Sequence, residues 1–183
     1  MRKFEEMVLD FISVLERMGI DYVIVGGVAV SSWGTPRTTR DLDVIIVLKV
    51  GNIDELSENL QGMGFLIDKN DFKKSFEEKT HFTIFDEHSE YHIDAKGIYN
   101  KFDALTVRNR VIVPYEGHDM HIASAEDTIA HKLLFGGYQD MEDAESILLR
   151  QSELDMNYLE ELCEDLGVLE ESETIRKKVK DLK

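Results

Sequence analysis

Apolar residues recur along this chain with two periods, and the period changes from block to block. Phe4, Met7, Val8, Phe11, Ile12, Leu15 and Met18 fall at three- and four-residue steps, which predicts a helix with one buried face ending near Gly19. Asp21 to Val25 is then almost continuously apolar and β-branched, the mark of a strand covered on both faces. Gly26 and Gly27 turn the chain into a short helix, Val28 to Trp33, which Gly34 and Pro36 stop. The loop Arg37 to Arg40 leads into a second strand that opens with Asp41 and Asp43 and runs apolar to Val47.

Further on, Ile53, Leu56, Leu60 and Met63 line one side of a helix between Asn52 and Gly64, and Phe65 to Ile67 forms a short strand. Residues 68–78 are charged and punctuated by Phe72 and Phe76, and they fit a loop, a short helix or a strand edge equally. Thr80 to Phe85 and Tyr91 to Ala95 read as strands joined by Asp-Glu-His-Ser-Glu, and Val107 to Val113 with His118 to Ile122 as another pair around Pro-Tyr-Glu-Gly. Ser124 stands as an N-cap with Glu126 and Asp127 in the first turn. From there the pattern is helical, over Ala125 to Phe135, Met141 to Leu149, Asn157 to Leu166 and a charged last segment from Glu171. The expected division is a core over residues 1–123 and a C-terminal helical segment over 124–183 packed on it.

Composition narrows the picture. A chain of 183 residues, 43% hydrophobic and 9% aromatic, has enough apolar material for one buried core. No apolar run approaches the ~18 residues that span a bilayer, and the amino terminus reads as an amphipathic helix rather than a signal peptide. A cytoplasmic protein with no membrane partner is expected. Cys163 is the single cysteine, and its helical surroundings make it a small packing group rather than a nucleophile. A formal net charge of −16 argues against a large nucleic-acid footprint. Arg37, Arg40, Lys69, Lys73 and Lys74 are the local basic exceptions.

The candidate chemistry lies in the second strand. Alternation sends Asp41 and Asp43 to one face, where two carboxylates repel unless a cation sits between them. Hard oxygen ligands of this kind suit Mg2+ or Mn2+. At the preceding strand-to-helix turn, Gly26 and Gly27 allow close backbone approach, and exposed amides at a helix start favour an anion such as phosphate. Asp94, flanked by Ile93 and Ala95 on a later strand, is a charge in a segment that belongs in a sheet interior, so it is the natural third acid. A salt bridge or a strand-end cap is its alternative role. His92 shares its face, and a lone histidine there is more often structural than a substrate contact.

Three elements in this order, Val25-Gly26-Gly27, Asp41-Leu42-Asp43-Val44 and Ile93-Asp94-Ala95, resemble the nucleotidyltransferase superfamily that includes DNA polymerase beta and the aminoglycoside and lincosamide nucleotidyltransferases. The chain is most similar to a small prokaryotic branch that contains abortive-infection toxin-type enzymes. The shared features are Arg37, Thr39 and Arg40 before the aspartates, a helix like Glu126 to Leu134, and Asp140 and Asp143 after it. The resemblance implies an α+β nucleotidyltransferase fold, a mixed β-sheet flanked by helices with a C-terminal helical segment. It also implies transfer of a nucleoside monophosphate from a nucleoside triphosphate to a hydroxyl acceptor.

On that resemblance Asp41, Asp43 and Asp94 are the catalytic and metal-holding residues, with Mg2+ expected and Mn2+ as the substitute. Gly26, Gly27, Arg37, Thr39, Arg40, Lys132 and Asp143 would then bind nucleotide, Lys132 contacting phosphate and Asp143 assisting transfer. The acceptor is left open between a small molecule, a protein and transfer RNA, and the toxin-type likeness implies an antitoxin-like partner. Gly137 and Gln139 stand where such relatives carry arginines. That departure keeps a non-catalytic nucleotide- or partner-binding module as the alternative.

Overall fold

A computed structural model of the chain describes residues 1–182. In chain order its elements are helix α1 (Phe4–Arg17), strand β1 (Tyr22–Ile24), α2 (Gly26–Trp33), β2 (Asp41–Ile46), α3 (Ile53–Gly62), β3 (Phe65–Leu66), α4 (Lys69–Glu77) and β4 (Phe82–Asp86). There follow β5 (His92–Lys96), α5 (Lys101–Arg108), β6 (Val111–Tyr115), β7 (His118–Ile122), α6 (Ala125–Phe135), α7 (Tyr138–Arg150), α8 (Met156–Leu166) and α9 (Leu169–Leu182). They fall into two compact units, Met1–Val25 with Thr39–Ile122, and Gly26–Thr38 with the chain from Ala123 onward.

The first unit carries the sheet. Among the described residues it has seven strands in the order β3-β4-β5-β2-β1-β7-β6. The pairs β2 with β5 and β1 with β7 are parallel and the other neighbours antiparallel, so the sheet is mixed. With α1, α3, α4 and α5 in the same unit, this is the expected α+β architecture. Strand β1 is buried at all three residues, as its unbroken apolar run requires. Helix α1 buries Met7, Val8, Phe11, Ile12, Val14 and Leu15, and Gly19 just beyond it takes φ +63°.

Two segments of this unit depart from the sequence pattern or resolve it. Within 68–78, where the pattern fits several elements, Lys69–Glu77 forms α4, because the Asp68 side chain caps it by accepting from the Asn70 and Asp71 N–H groups. Phe72 is then buried and stacks on Phe82 at 4.7 Å between ring centroids. The strand expected over Val107 to Val113 begins only at Val111, because Val107 and Arg108 close helix α5. Asn100 caps that helix by accepting from the Asp103 N–H at 2.8 Å. Asp103 is fully buried, accepts from the Tyr99 N–H at 2.9 Å and pairs with Lys96 at 2.8 Å. A cap plus a buried ion pair outweighs the β-branched content that reads as strand.

In the second unit, the Ser124 hydroxyl accepts from the Asp127 N–H at 3.0 Å, and α6 ends at Gly136 with φ +65°. Asp155 caps α8 in the same way, Gly167 ends it, and the charged last segment is helix α9. Segment 26–38, which the sequence pattern groups with residues 1–123, packs with these helices. Trp33 Nε1 donates to the Ala123 carbonyl at 2.8 Å, and Gln151 Nε2 donates to the Trp33 carbonyl at 2.6 Å. At Gly34 a Cβ would stand 2.3 Å from Ser146 Oγ, so a side chain there would force α7 residues to shift where α2 meets α7.

Truncating β2 tests where the first unit's stability lies. Leu42 is fully buried, and Leu42→Ala is expected to cost about 2–5 kcal/mol in urea unfolding. Ile112→Ala, on a side chain 59% exposed, is expected to stay within about 0.5 kcal/mol of wild type.

Candidate functional site

Strands β2 and β5 build the site in the first unit. Their parallel register sets Asp41 beside His92 and Asp43 beside Asp94. Paired residues point the same way and alternate residues share a face, so these four side chains stand on one side of the sheet. Leu42, Val44, Ile93 and Ala95, each at most 1% exposed, pack the other.

One ligand atom from each of Asp41, His92 and Asp94 lies within 4.8 Å of the other two. Hydroxyl groups aim the carboxylates. Thr39 Oγ1 donates to Asp41 Oδ1, and Thr83 Oγ1, from β4, donates to Asp94 Oδ1 at 2.6 Å. The other oxygen of Asp94, Oδ2, faces His92 Nε2 at 3.8 Å, too far for a hydrogen bond. All three side chains are partly exposed and open to a ligand.

Two carboxylates and an imidazole make an oxygen-and-nitrogen donor set suited to a divalent cation. Two metal–ligand bonds of about 2.1 Å each span at most about 4.2 Å, which accommodates the imidazole and the Asp94 carboxylate as they stand. That pair therefore fits a divalent ion as it stands, and the Asp41 ligand atom, within 4.8 Å of the other two, would complete the set by a small closing movement.

Of the residues singled out by sequence, the structure brings Asp41 and Asp94 together and sets Asp43 next to Asp94 in the register. His92, read as structural, joins the group. Thr83 was not singled out. Its only signal is register, since it faces Asp94 from β4. Thr39 acts here on the Asp41 carboxylate, and Arg40 is exposed, 3.6 Å from Glu90.

The remaining predicted residues belong to the second unit. Gly26 opens α2 with φ +60°, a conformation a Cβ would strain, and Gly27 follows in the first turn, where helix amides have no internal acceptor. Lys132 and Asp143 are both buried, at 9% and 3% exposure. Lys132 Nζ lies 2.8 Å from Asp140 Oδ1 and 3.0 Å from Asp143 Oδ2, the second contact being ionic without hydrogen-bond alignment. Arg37 Nε approaches Asp143 Oδ1 at 3.3 Å, and Gln139 Nε2 donates to the same oxygen at 3.2 Å. The Gly137 N–H donates to Asp140 Oδ2 at 3.2 Å. Cys163 is fully buried, and burial pushes its thiol up, which removes it as a nucleophile.

A mixed sheet that presents carboxylates on one face from two parallel strands agrees with the nucleotidyltransferase fold. The chain belongs to the family described as nucleotidyltransferase of unknown function (DUF6036), which matches residues 3–183. It is accordingly a transferase of the nucleotidyl class. No curated protein matches the sequence.

Solved structures agree on the fold. An antigenic nucleotidyltransferase-like protein from Paracoccidioides brasiliensis superposes with a TM-score of 0.54 at 16% identity, covering 94% of this chain and 91% of that one. ANT(2'')-Ia in complex with adenylyl-2''-tobramycin gives a TM-score of 0.52 at 11% identity, covering 97% of each chain. The lincosamide antibiotic adenylyltransferase LnuA, lincomycin-bound, gives a TM-score of 0.53 at 15% identity, covering 80% of this chain and 96% of that one.

The buried ion pairs of the second unit generate a stability test. Lys132→Met strips Asp143 and Asp140 of their shared ammonium and is expected to cost about 3 kcal/mol, the lower end for a broken buried pair because Arg37 still faces Asp143. Adding Asp143→Asn is expected to recover part of that loss, measured by denaturant unfolding of both variants.

Proposed function

We propose that this protein transfers a nucleoside monophosphate from a nucleoside triphosphate to a hydroxyl acceptor, in a reaction that depends on Mg2+ or Mn2+ held by Asp41, Asp43 and Asp94. The observation that carries the proposal is the meeting of Asp41 and Asp94 on one sheet face, with Asp43 beside Asp94 in the same register. A divalent ion bound there would offset the charge of a triphosphate and make a nearby hydroxyl easier to deprotonate.

In the transfer, the acceptor oxygen bonds to the alpha-phosphorus as the bond to pyrophosphate breaks, and the hydroxyl proton passes to water. Thr39 and Thr83 hold the two carboxylates in one orientation, so little reorganisation is needed when substrate arrives. Asp94 is the acid assigned to the acceptor side.

The same proposal gives nucleotide contacts to Gly26, Gly27, Arg37, Thr39, Arg40, Lys132 and Asp143. Gly26 and Gly27 would offer amides to phosphate. Lys132 would have to share its charge between phosphate and the two aspartates it already meets. That prior engagement, with Arg37 also on Asp143, favours a second reading as a nucleotide- or partner-binding module without transfer.

Two structural neighbours are solved with an adenylylated antibiotic or with lincomycin, which supports testing ATP and small-molecule acceptors first. The resemblance to toxin-type enzymes supports transfer RNA, with an antitoxin-like protein as partner, as the other acceptor to test. Among the described residues no helix is long and apolar enough to cross a membrane.

Incubation with each alpha-labelled triphosphate, Mg2+ or Mn2+, and a cell extract is expected to put label into one fraction, and small molecules, protein and RNA are then separated. Asp94→Ala is expected to abolish incorporation while nucleotide binding persists. Equal incorporation by mutant and wild type would refute the role of Asp94, and binding without incorporation in wild type would establish the second reading.

A further inference from the structure

Resting on the metal-site reading above, we infer that His92 is itself a metal ligand, and that its imidazole makes the site select a transition-metal ion such as Mn2+ over Mg2+. The sequence points to an all-carboxylate site, yet the atoms that converge are two carboxylates and one imidazole. Three features single out His92 Nε2. It stands 3.8 Å from Asp94 Oδ2, outside hydrogen-bond reach but within the span of two ligands on one small cation. The Thr83 hydroxyl occupies Asp94 Oδ1, so the oxygen turned towards the imidazole is the one without that donor. The parallel register locks His92 beside Asp41, so the imidazole cannot leave the carboxylate face without shifting β5.

The chemical consequence follows from the ligand type. Mg2+ is a hard ion that keeps its waters and is usually held through one or two carboxylates, gaining little from a nitrogen donor. Imidazole nitrogen suits first-row transition metals, whose affinity for nitrogen-containing sites rises from Mn2+ towards Cu2+. A site with one imidazole therefore separates Mn2+ from Mg2+ where three carboxylates would hold both. The partly exposed position of the cluster leaves room for water and a substrate oxygen to complete the ion's shell.

The test reads metal binding directly. The full chain, stripped of metal, is titrated with Mn2+ while the free-ion electron paramagnetic resonance signal is followed, and Mg2+ is then used as competitor. Mn2+ is expected to bind roughly tenfold or more tighter than Mg2+, and His92→Asn is expected to bring that ratio down towards one. Pulsed resonance of the Mn2+-loaded wild type is expected to show nitrogen modulation that His92→Asn lacks. The wild-type spectrum decides the matter even if the variant folds poorly. Mn2+ bound with no nitrogen modulation, or a ratio unchanged in the variant, would overturn the role of His92 while leaving the carboxylate site standing. No Mn2+ binding at all would overturn the metal-site reading and this inference together.

Discussion

Placing acids of like charge side by side on a sheet costs electrostatic energy, and the parallel pairing of β2 with β5 imposes that cost. Two carboxylates about 4 Å apart repel by roughly 1–4 kcal/mol between bulk water and a protein surface. On the opposite face of the same two strands, Leu42, Val44 and Ile93 are essentially fully buried. Burying each is worth about 1.5–3 kcal/mol, so their sum exceeds the repulsion. A slip of one residue would turn these apolar groups to solvent and the acids into the core, so packing on one face fixes the chemistry on the other.

The second unit handles charge by neutralising it. Lys132 and Arg37 meet Asp140 and Asp143, two cations against two anions, with Asp143 almost fully buried. An arginine at position 139 would add a third cation to a balanced set. Gln139 supplies a hydrogen bond to Asp143 Oδ1 without changing that balance. Glutamine rather than arginine at this position thus has a local electrostatic meaning whether or not nucleotide binds nearby.

The elements of the first unit were legible wherever a single period dominated. The α1 stripe, the unbroken β1 run and the alternation of Asp41, Leu42, Asp43 and Val44 each have one reading, and the structure follows them. Helix α5 was not legible, because its stability comes from Asn100 capping and from Asp103 meeting Lys96, contacts that no hydrophobic pattern records. The convergence of Asp94 with Asp41 was visible as an acid out of place in an apolar strand. The parts played by His92 and Thr83 were not, because they depend on which strands flank β5. Parallel partners are joined by long crossovers, here the 45 residues from Val47 to Tyr91 between β2 and β5, so their register leaves no short-range signature.

The partners of an aspartate and its burial together separate structure from function. Asp86 and Asp103 are buried, and Arg2 holds the first at 2.6 Å and Lys96 the second at 2.8 Å. Each pair is closed, with a fixed cation already in place, and its removal would be felt as lost stability. Asp41 and Asp94 take hydroxyl donors instead of lysine or arginine, with the His92 imidazole 3.8 Å from Asp94, and they sit where solvent reaches them. Hydroxyls orient a carboxylate without cancelling its charge. A pair of oriented, uncancelled carboxylates favours any cation that arrives, and selection among cations then falls to the group that is not a carboxylate.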